Sequence, residues 1–275
     1  MPELPEVETI RRDLEAEIVG RRVVGVRIHK PDILIDSTGP AAFARHLHGH
    51  RIDAVERRGK TLILRLDGGM VTQVQLRMSG RFVLGHARPD PAEFRHIAAE
   101  LDLDDGRTLF YDDTRRLGGL RLLGKDEWEA ISGKLGPEPL APEFRPSVLR
   151  RILGASRAPI KNALLDQYRI AGIGNIYASE ALHRARIDPR RAANSLQVGE
   201  TRRLHTAIRR VLKEALEAAG TTFRDYRAVN GRSGEFQARL RVYGREGEPC
   251  THCRRPIERI VQAGRSTYFC PRCQG

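Results

Sequence analysis

Apolar residues recur at Val7, Ile10, Leu14 and Ile18, a period of three to four that predicts an amphipathic helix over residues 6–18. The period then shortens. Residues 24–28, 61–66, 71–76, 98–103 and 120–123 are short segments rich in β-branched or alternating apolar positions, separated by polar turns, which is the pattern of a β-sandwich or barrel. Pro137, Pro139, Pro142 and Pro146 follow, in a stretch that suits neither a helix nor a central strand, so 137–146 reads as a linker. Beyond it the helical period returns. Ser147 is placed to cap a helix running to Leu153, a second helix covers 160–167, and a third begins near Asn175. A longer helix spans about 200–218, with Leu204, Ile208, Val211, Ala215 and Leu216 on one face. Between 254 and 269, β-branched and aromatic residues flank Ala263-Gly264, which predicts a β-hairpin with Arg265 at its tip. The fold class is therefore α+β. A β-rich domain with its leading helix occupies 1–136, the linker 137–146, a helical domain 147–239 and a hairpin module 240–275.

Charge narrows the partners. The chain of 275 residues carries 48 Lys+Arg against 35 Asp+Glu, a formal charge of +13. Such a surplus suits a polyanion, nucleic acid foremost, although an arginine-rich solvated surface would produce the same sum. No run of about eighteen apolar residues is present, so no membrane partner is expected. Residues 3–8 are acidic where an export leader would be basic and then apolar, which points to a cytoplasmic protein.

All four cysteines fall near the C-terminus, as Cys250-Thr251-His252-Cys253 and Cys270-Pro271-Arg272-Cys273, with 16 residues between the pairs. This is the spacing of a structural zinc site, in which four thiolates close a tetrahedral shell and leave no position open for catalysis. His252 is then a bystander. A disulfide pairing would need an oxidising compartment.

Pro2 stands directly behind Met1. Removal of the methionine would leave a secondary amine, which titrates at about 7.7–8.0 and can condense with an aldehyde-like carbon to a charged iminium. The plain alternative is that proline at this place only favours methionine removal. Glu3, Glu6 and Glu8 read from the residues alone as acidic groups favouring a helix N-terminus. Gly172-Ile173-Gly174-Asn175-Ile176-Tyr177 lacks the third glycine of a dinucleotide fingerprint. It reads better as a glycine turn between helices, with Asn175 either holding a phosphate or capping the second helix.

Six motifs in one order then carry a resemblance. Met1-Pro2-Glu3-Leu4-Pro5-Glu6-Val7-Glu8-Thr9, Arg58-Gly59-Lys60, Met78-Ser79-Gly80, Gly136-Pro137-Glu138-Pro139-Leu140, Gly172 through Glu180 and the four-cysteine finger together resemble the bacterial formamidopyrimidine-DNA glycosylases, from the first residue to the last knuckle. The resemblance implies an N-terminal β-sandwich, a helix-two-turn-helix domain and a zinc-finger hairpin. It implies a nucleoid-associated monomer that acts on damaged double-stranded DNA, with one structural Zn2+ and no catalytic metal or organic cofactor. Oxidised purines would be excised and the abasic strand cut by β,δ-elimination.

The resemblance also implies residue roles. Pro2 attacks C1′, Glu3 moves a proton to the sugar ring oxygen, Glu6 orients the terminus, and Lys60 and Arg265 assist the two eliminations. Met78, Arg115 and Leu117 fill the gap left by the extruded nucleotide, with Arg115 facing the orphaned cytosine. Further DNA contacts fall on His96, Arg116, Arg157, Lys161, Asn175 and Tyr243, and a loop over 221–235 resembles the cover of the extruded base. Two positions depart from the family pattern: Leu117 replaces the usual phenylalanine and Gln75 a frequent histidine. The related endonuclease VIII enzymes, which act on oxidised pyrimidines, have glycine where Leu4 stands, so Leu4 favours purines. A non-catalytic zinc-finger DNA-binding protein would account for the charge and the cysteines and leave Pro2 and Glu3 without a role.

Overall fold

The first helix, α1, spans Leu4–Ile18 and starts earlier than periodicity alone predicts. Pro5 lies in its first turn, where the missing N–H is no loss, and the N-terminal amide of Glu3 donates to the Glu6 carboxylate at 2.8 Å. Val7, Ile10, Leu14 and Ile18 are fully buried along its inner face. The computed structural model describes residues 2–35, 39–221, 229 and 234–275.

The chain divides into two compact units, Met1–Gly133 with Ala218–Glu235, and Lys134–Glu217 with Phe236–Gly275. In the first, eight strands among the described residues form two antiparallel four-stranded sheets. They are β1 (Val23–Ile28), β2 (Ile52–Arg58), β3 (Thr61–Leu66), β4 (Val71–Gln75), β5 (Gly80–Gly85), β6 (Ile97–Leu103), β7 (Thr108–Asp113) and β8 (Gly119–Leu123). One sheet has the order β1-β6-β7-β5 and the other β2-β3-β4-β8, so the layout is a sandwich and not a closed barrel. Leu62, Leu64 and Val74 from one sheet share a core with Leu101, Leu109 and Tyr111 from the other, and the apolar face of α1 joins it. The periodicity anticipated five of these strands; β2, β5 and β7 are additional, as are the helices α2 (Pro40–Leu47) and α3 (Lys125–Ser132).

The second unit holds α4 (Pro146–Gly154), α5 (Ile160–Leu165), α6 (Asn175–Ala185), α7 (Val198–Glu217) and a hairpin of β9 (Glu258–Gln262) and β10 (Arg265–Phe269). Ser147 does not cap α4. The N-cap is Arg145, because Pro146 already occupies the first turn. Nor is 137–146 a free linker: it is built into this unit. Gly136 N–H donates to Gln167 O at 2.9 Å, Ala171 N–H to Pro137 O at 3.1 Å, and the Arg209 guanidinium to Pro139 O and Ala141 O. Gly136 is required there, since a Cβ would lie 2.3 Å from the Arg169 carbonyl.

The expected helical domain, 147–239, is also interrupted. Ala218–Glu235 returns to the first unit, where Thr221 N–H donates to Glu6 at 2.7 Å and Val229 N–H to Asp13 at 3.2 Å. Residues 222–228 and 230–233 of the expected cover loop lie outside the described residues. In the hairpin, Ala263 and Gly264 both have positive φ, +47° and +72°, the turn geometry that matches the twist of paired strands. Arg265 is paired with Gln262 at the first position beyond that turn. Among the described residues no helix is long and apolar enough to cross a membrane.

Candidate active site and nucleic-acid interface

Pro2 lies directly before α1, and both it and Glu3 are buried. The Glu6 carboxylate is the organising group: it accepts the amides of Glu3 (2.8 Å) and Thr221 (2.7 Å), and Gly220 packs so closely that a Cβ there would meet Glu6 at 2.9 Å. Glu8, two residues on, binds Arg57 Nε at 3.0 Å, and another nitrogen of the same guanidinium donates to Gly59 O at 2.8 Å. Arg57 thus ties α1 to the two-residue turn Gly59-Lys60 that joins β2 to β3; Gly59 supplies its positive φ of 59°. Burial pushes the Glu8 carboxyl up, but the hydrogen bond and charge of Arg57, helped by Arg11 and Arg12, overcome this and hold it below the ordinary 4.5. Lys60 is half-buried on that turn.

Met78, Arg115 and Leu117 come together on two loops that leave neighbouring strand ends, since Gly80 of β5 pairs with Asp113 of β7. Met78 is 40% and Leu117 54% exposed, unusual for large apolar side chains, and Arg115 Nη1 lies 3.6 Å from the Met78 sulfur. Arg116 is exposed and pairs with Asp32 at 3.1 Å. His96 is also exposed, and its backbone is fixed by Asp112 Oδ1, which accepts its N–H at 2.8 Å. Asp112 pairs in addition with Arg81 at 3.1 Å.

In the second unit the expected phosphate-binding residues split into two kinds. Arg157 and Arg265 are exposed. Lys161 is 0% exposed, and its ammonium donates to Ser266 O (2.8 Å) and Thr267 Oγ1 (2.6 Å). Asn175 is the first residue of α6, with Gly174 as the cap, and its amide donates to the same Ser266 O at 2.9 Å. Both residues therefore hold the strand that begins at Arg265, a supporting role that charge and residue type do not reveal. Tyr243 is half-buried against Tyr268, ring centroids 5.1 Å apart. Its amide, with those of Arg241 and Val242, points at Glu180, a wholly buried carboxylate that accepts them at 2.9–3.1 Å. Glu180 closes the quoted Gly172–Glu180 motif and was given no role by sequence reasoning; a carboxylate on an otherwise buried helix face was the available signal.

The four cysteine sulfurs lie within 4.8 Å of one another, with Cys250–Cys273 at 3.9 Å and Cys253–Cys270 at 3.4 Å. Zn–S bonds of about 2.3 Å in a tetrahedron place sulfurs about 3.8 Å apart, so the donor set fits Zn2+. The N–H of His252 points at Cys250 Sγ and that of Cys273 at Cys270 Sγ, as a metal-binding knuckle requires. The Arg255 amide draws the Cys253 thiol down to about 7, whereas burial holds Cys270 and Cys273 up until a metal displaces their protons. His252 stays outside the sulfur set and faces Arg186.

Three family models match the chain: the formamidopyrimidine-DNA glycosylase N-terminal domain over residues 1–120, its H2TH domain over 135–227, and a zinc finger found in FPG and IleRS over 247–275. A formamidopyrimidine-DNA glycosylase of Chloroflexus aurantiacus is 48% identical over 275 residues, covering 100% of this chain and 98% of the relative. Among solved structures, the Lactococcus lactis Fpg bound to abasic-site DNA aligns with a TM-score of 0.90 at 35% identity and 99% coverage of both chains. A variant of the same enzyme bound to Fapy-dG containing DNA aligns at 0.91, with 36% identity and 99% coverage of both.

Proposed function

Because this chain belongs to the formamidopyrimidine-DNA glycosylase family, and so is a DNA glycosylase of base excision repair, we propose that it excises oxidised purines from duplex DNA and then cleaves the strand. Its substrates are 8-oxoguanine and the ring-opened formamidopyrimidines. That the Lactococcus relative is solved in complex with abasic-site DNA and with Fapy-dG containing DNA supports recognition of such lesions. The observation that carries it is the placement of Pro2 at the head of α1, with Glu3 beside it and Glu6 holding the Glu3 amide.

With Met1 removed, the Pro2 nitrogen attacks C1′ of the damaged nucleotide. The new N–C1′ bond forms as the glycosidic bond breaks and the base departs. Glu3 delivers a proton to the sugar ring oxygen, the ring opens, and the nitrogen becomes a cationic iminium. That cation acidifies C2′; loss of its proton expels the 3′ phosphate, and a second elimination expels the 5′ phosphate. Lys60 and Arg265 stabilise the phosphates as they leave. Met78, Arg115 and Leu117 occupy the gap left by the extruded nucleotide, Arg115 against the unpaired cytosine. Arg116, Arg157, His96 and Tyr243 contact the sugar-phosphate backbone, while Lys161 and Asn175 keep the Arg265 strand in place. The four cysteines hold Zn2+, which braces the hairpin and takes no part in bond breaking.

Side-by-side excision from duplexes bearing 8-oxoguanine, a formamidopyrimidine or an oxidised pyrimidine tests this reading. Release of both purine lesions with a gap bounded by phosphates at each end is expected. Preference for the pyrimidine, or base release without strand cleavage, would contradict it.

A further inference from the structure

The three side chains assigned to the gap in the duplex stand on loops 76–79 and 114–118, which join β4 to β5 and β7 to β8. Each loop contains an arginine held in the left-handed region, Arg77 and Arg116, both at φ +50°. Backbone of this kind persists only where its surroundings impose it. Here the constraint is polar. Asp113, the last residue of β7, is 0% exposed, and its Oδ1 accepts the Ser79 hydroxyl at 2.5 Å while Oδ2 accepts Gly118 N–H at 2.8 Å. Ser79 Oγ, its proton committed to Asp113, accepts Arg115 N–H at 3.0 Å. The Tyr111 phenol stands 3.5 Å from Oδ2, and burial together with the Asp113 charge keeps it protonated, hence a donor. Gly80 and Gly118 complete the fit, since a Cβ at either would lie within 2.5 Å of the Tyr111 oxygen.

One buried carboxylate therefore fixes the backbone on both sides of Arg115-Arg116-Leu117 and, through Ser79, the residue next to Met78. A loop that needed only to connect two strands would not require a desolvated charge beneath it. A loop that must present three side chains in one fixed arrangement to a duplex gains from being set before contact. We propose that Asp113, acting through Ser79, is the positioning residue for the inserted set, and that it fixes the reach of Arg115 and so the discrimination of the base opposite the lesion. This rests on the assignment of Met78, Arg115 and Leu117 as inserted side chains.

The test uses the full, zinc-loaded chain. Single-turnover excision of 8-oxoguanine is measured opposite cytosine and opposite adenine, beside cleavage of an abasic site in a single-stranded oligonucleotide, where no partner base exists. Ser79→Ala is expected to slow excision opposite cytosine about tenfold and to compress the cytosine-to-adenine ratio about fivefold, with single-stranded cleavage within about twofold of the parent. Asp113→Asn should show the same pattern more strongly; if that variant fails to fold, Ser79→Ala alone decides. An unchanged ratio, or a parallel loss of single-stranded cleavage, overturns the proposal. Failure of the underlying assignment has a different signature: Met78→Ala and Arg115→Ala would then leave duplex excision and the ratio as in the parent.

Discussion

Glu6, Asp113 and Glu180 share one local solution to a costly problem. Each is a carboxylate removed from water that accepts backbone N–H: Glu6 and Glu180 from segments distant in sequence, Asp113 from Gly118 in the loop that follows it. Nothing in the sequence separates Glu6 from its neighbours Glu3 and Glu8, because the partner that distinguishes it, Thr221, lies 215 positions away. Truncating Glu180 to alanine strands three amides at once, so a loss of about 3 kcal/mol is expected in urea unfolding, centred on the second unit. Glu8, Glu100 and Glu214 behave differently. Burial opposes ionisation of each, and arginine partners reverse the balance and hold all three below 4.5. A depressed folded value means stabilisation that is complete above about pH 4.5 and disappears as pH falls through the folded values. Through these three groups the melting temperature should drop as pH falls below about 4.5, and Arg57→Ala should make that acid drop shallower.

At the scale of elements, legibility followed the strength of the hydrophobic period. α1 and α7 repeat an apolar face over several turns, and β3 and β4 are dense in leucine and valine, so all four were readable. β2 was not, since only Ile52 and Val55 are buried in a strand otherwise carrying Asp53, Glu56, Arg57 and Arg58. β7 ends in two aspartates whose burial depends on Arg81, Ser79 and backbone amides supplied by other segments. The proline stretch misled for a related reason: residues that cannot make ladder hydrogen bonds still offer carbonyls, and Arg209 and Ala171 take them. The finger was legible outright because metal ligation dictates spacing. Stripping it with a chelator should release about one zinc per chain, unfold the hairpin and weaken DNA binding on the order of tenfold, about 1.4 kcal/mol, with the β-sandwich still melting cooperatively.

For the whole molecule, charge and motif order together pointed to DNA, and the two-unit division shows what they left out. The chain leaves the first unit after Gly133 and re-enters it at Ala218, a crossing that no composition change marks. If about five phosphates are neutralised, log affinity should fall against log salt with a slope of about −4 to −5; a flat response would remove the assigned backbone contacts. The central claim is chemical, and borohydride reduction reaches it most directly. The zinc-loaded chain, freed of Met1, is incubated with an 8-oxoguanine duplex and borohydride, and the crosslinked peptide is mapped by mass spectrometry. A stable adduct on the Pro2 nitrogen, abolished by N-terminal acetylation, is the expected result; no adduct, or one mapped to Lys60 with Pro2 unmodified, would contradict the account.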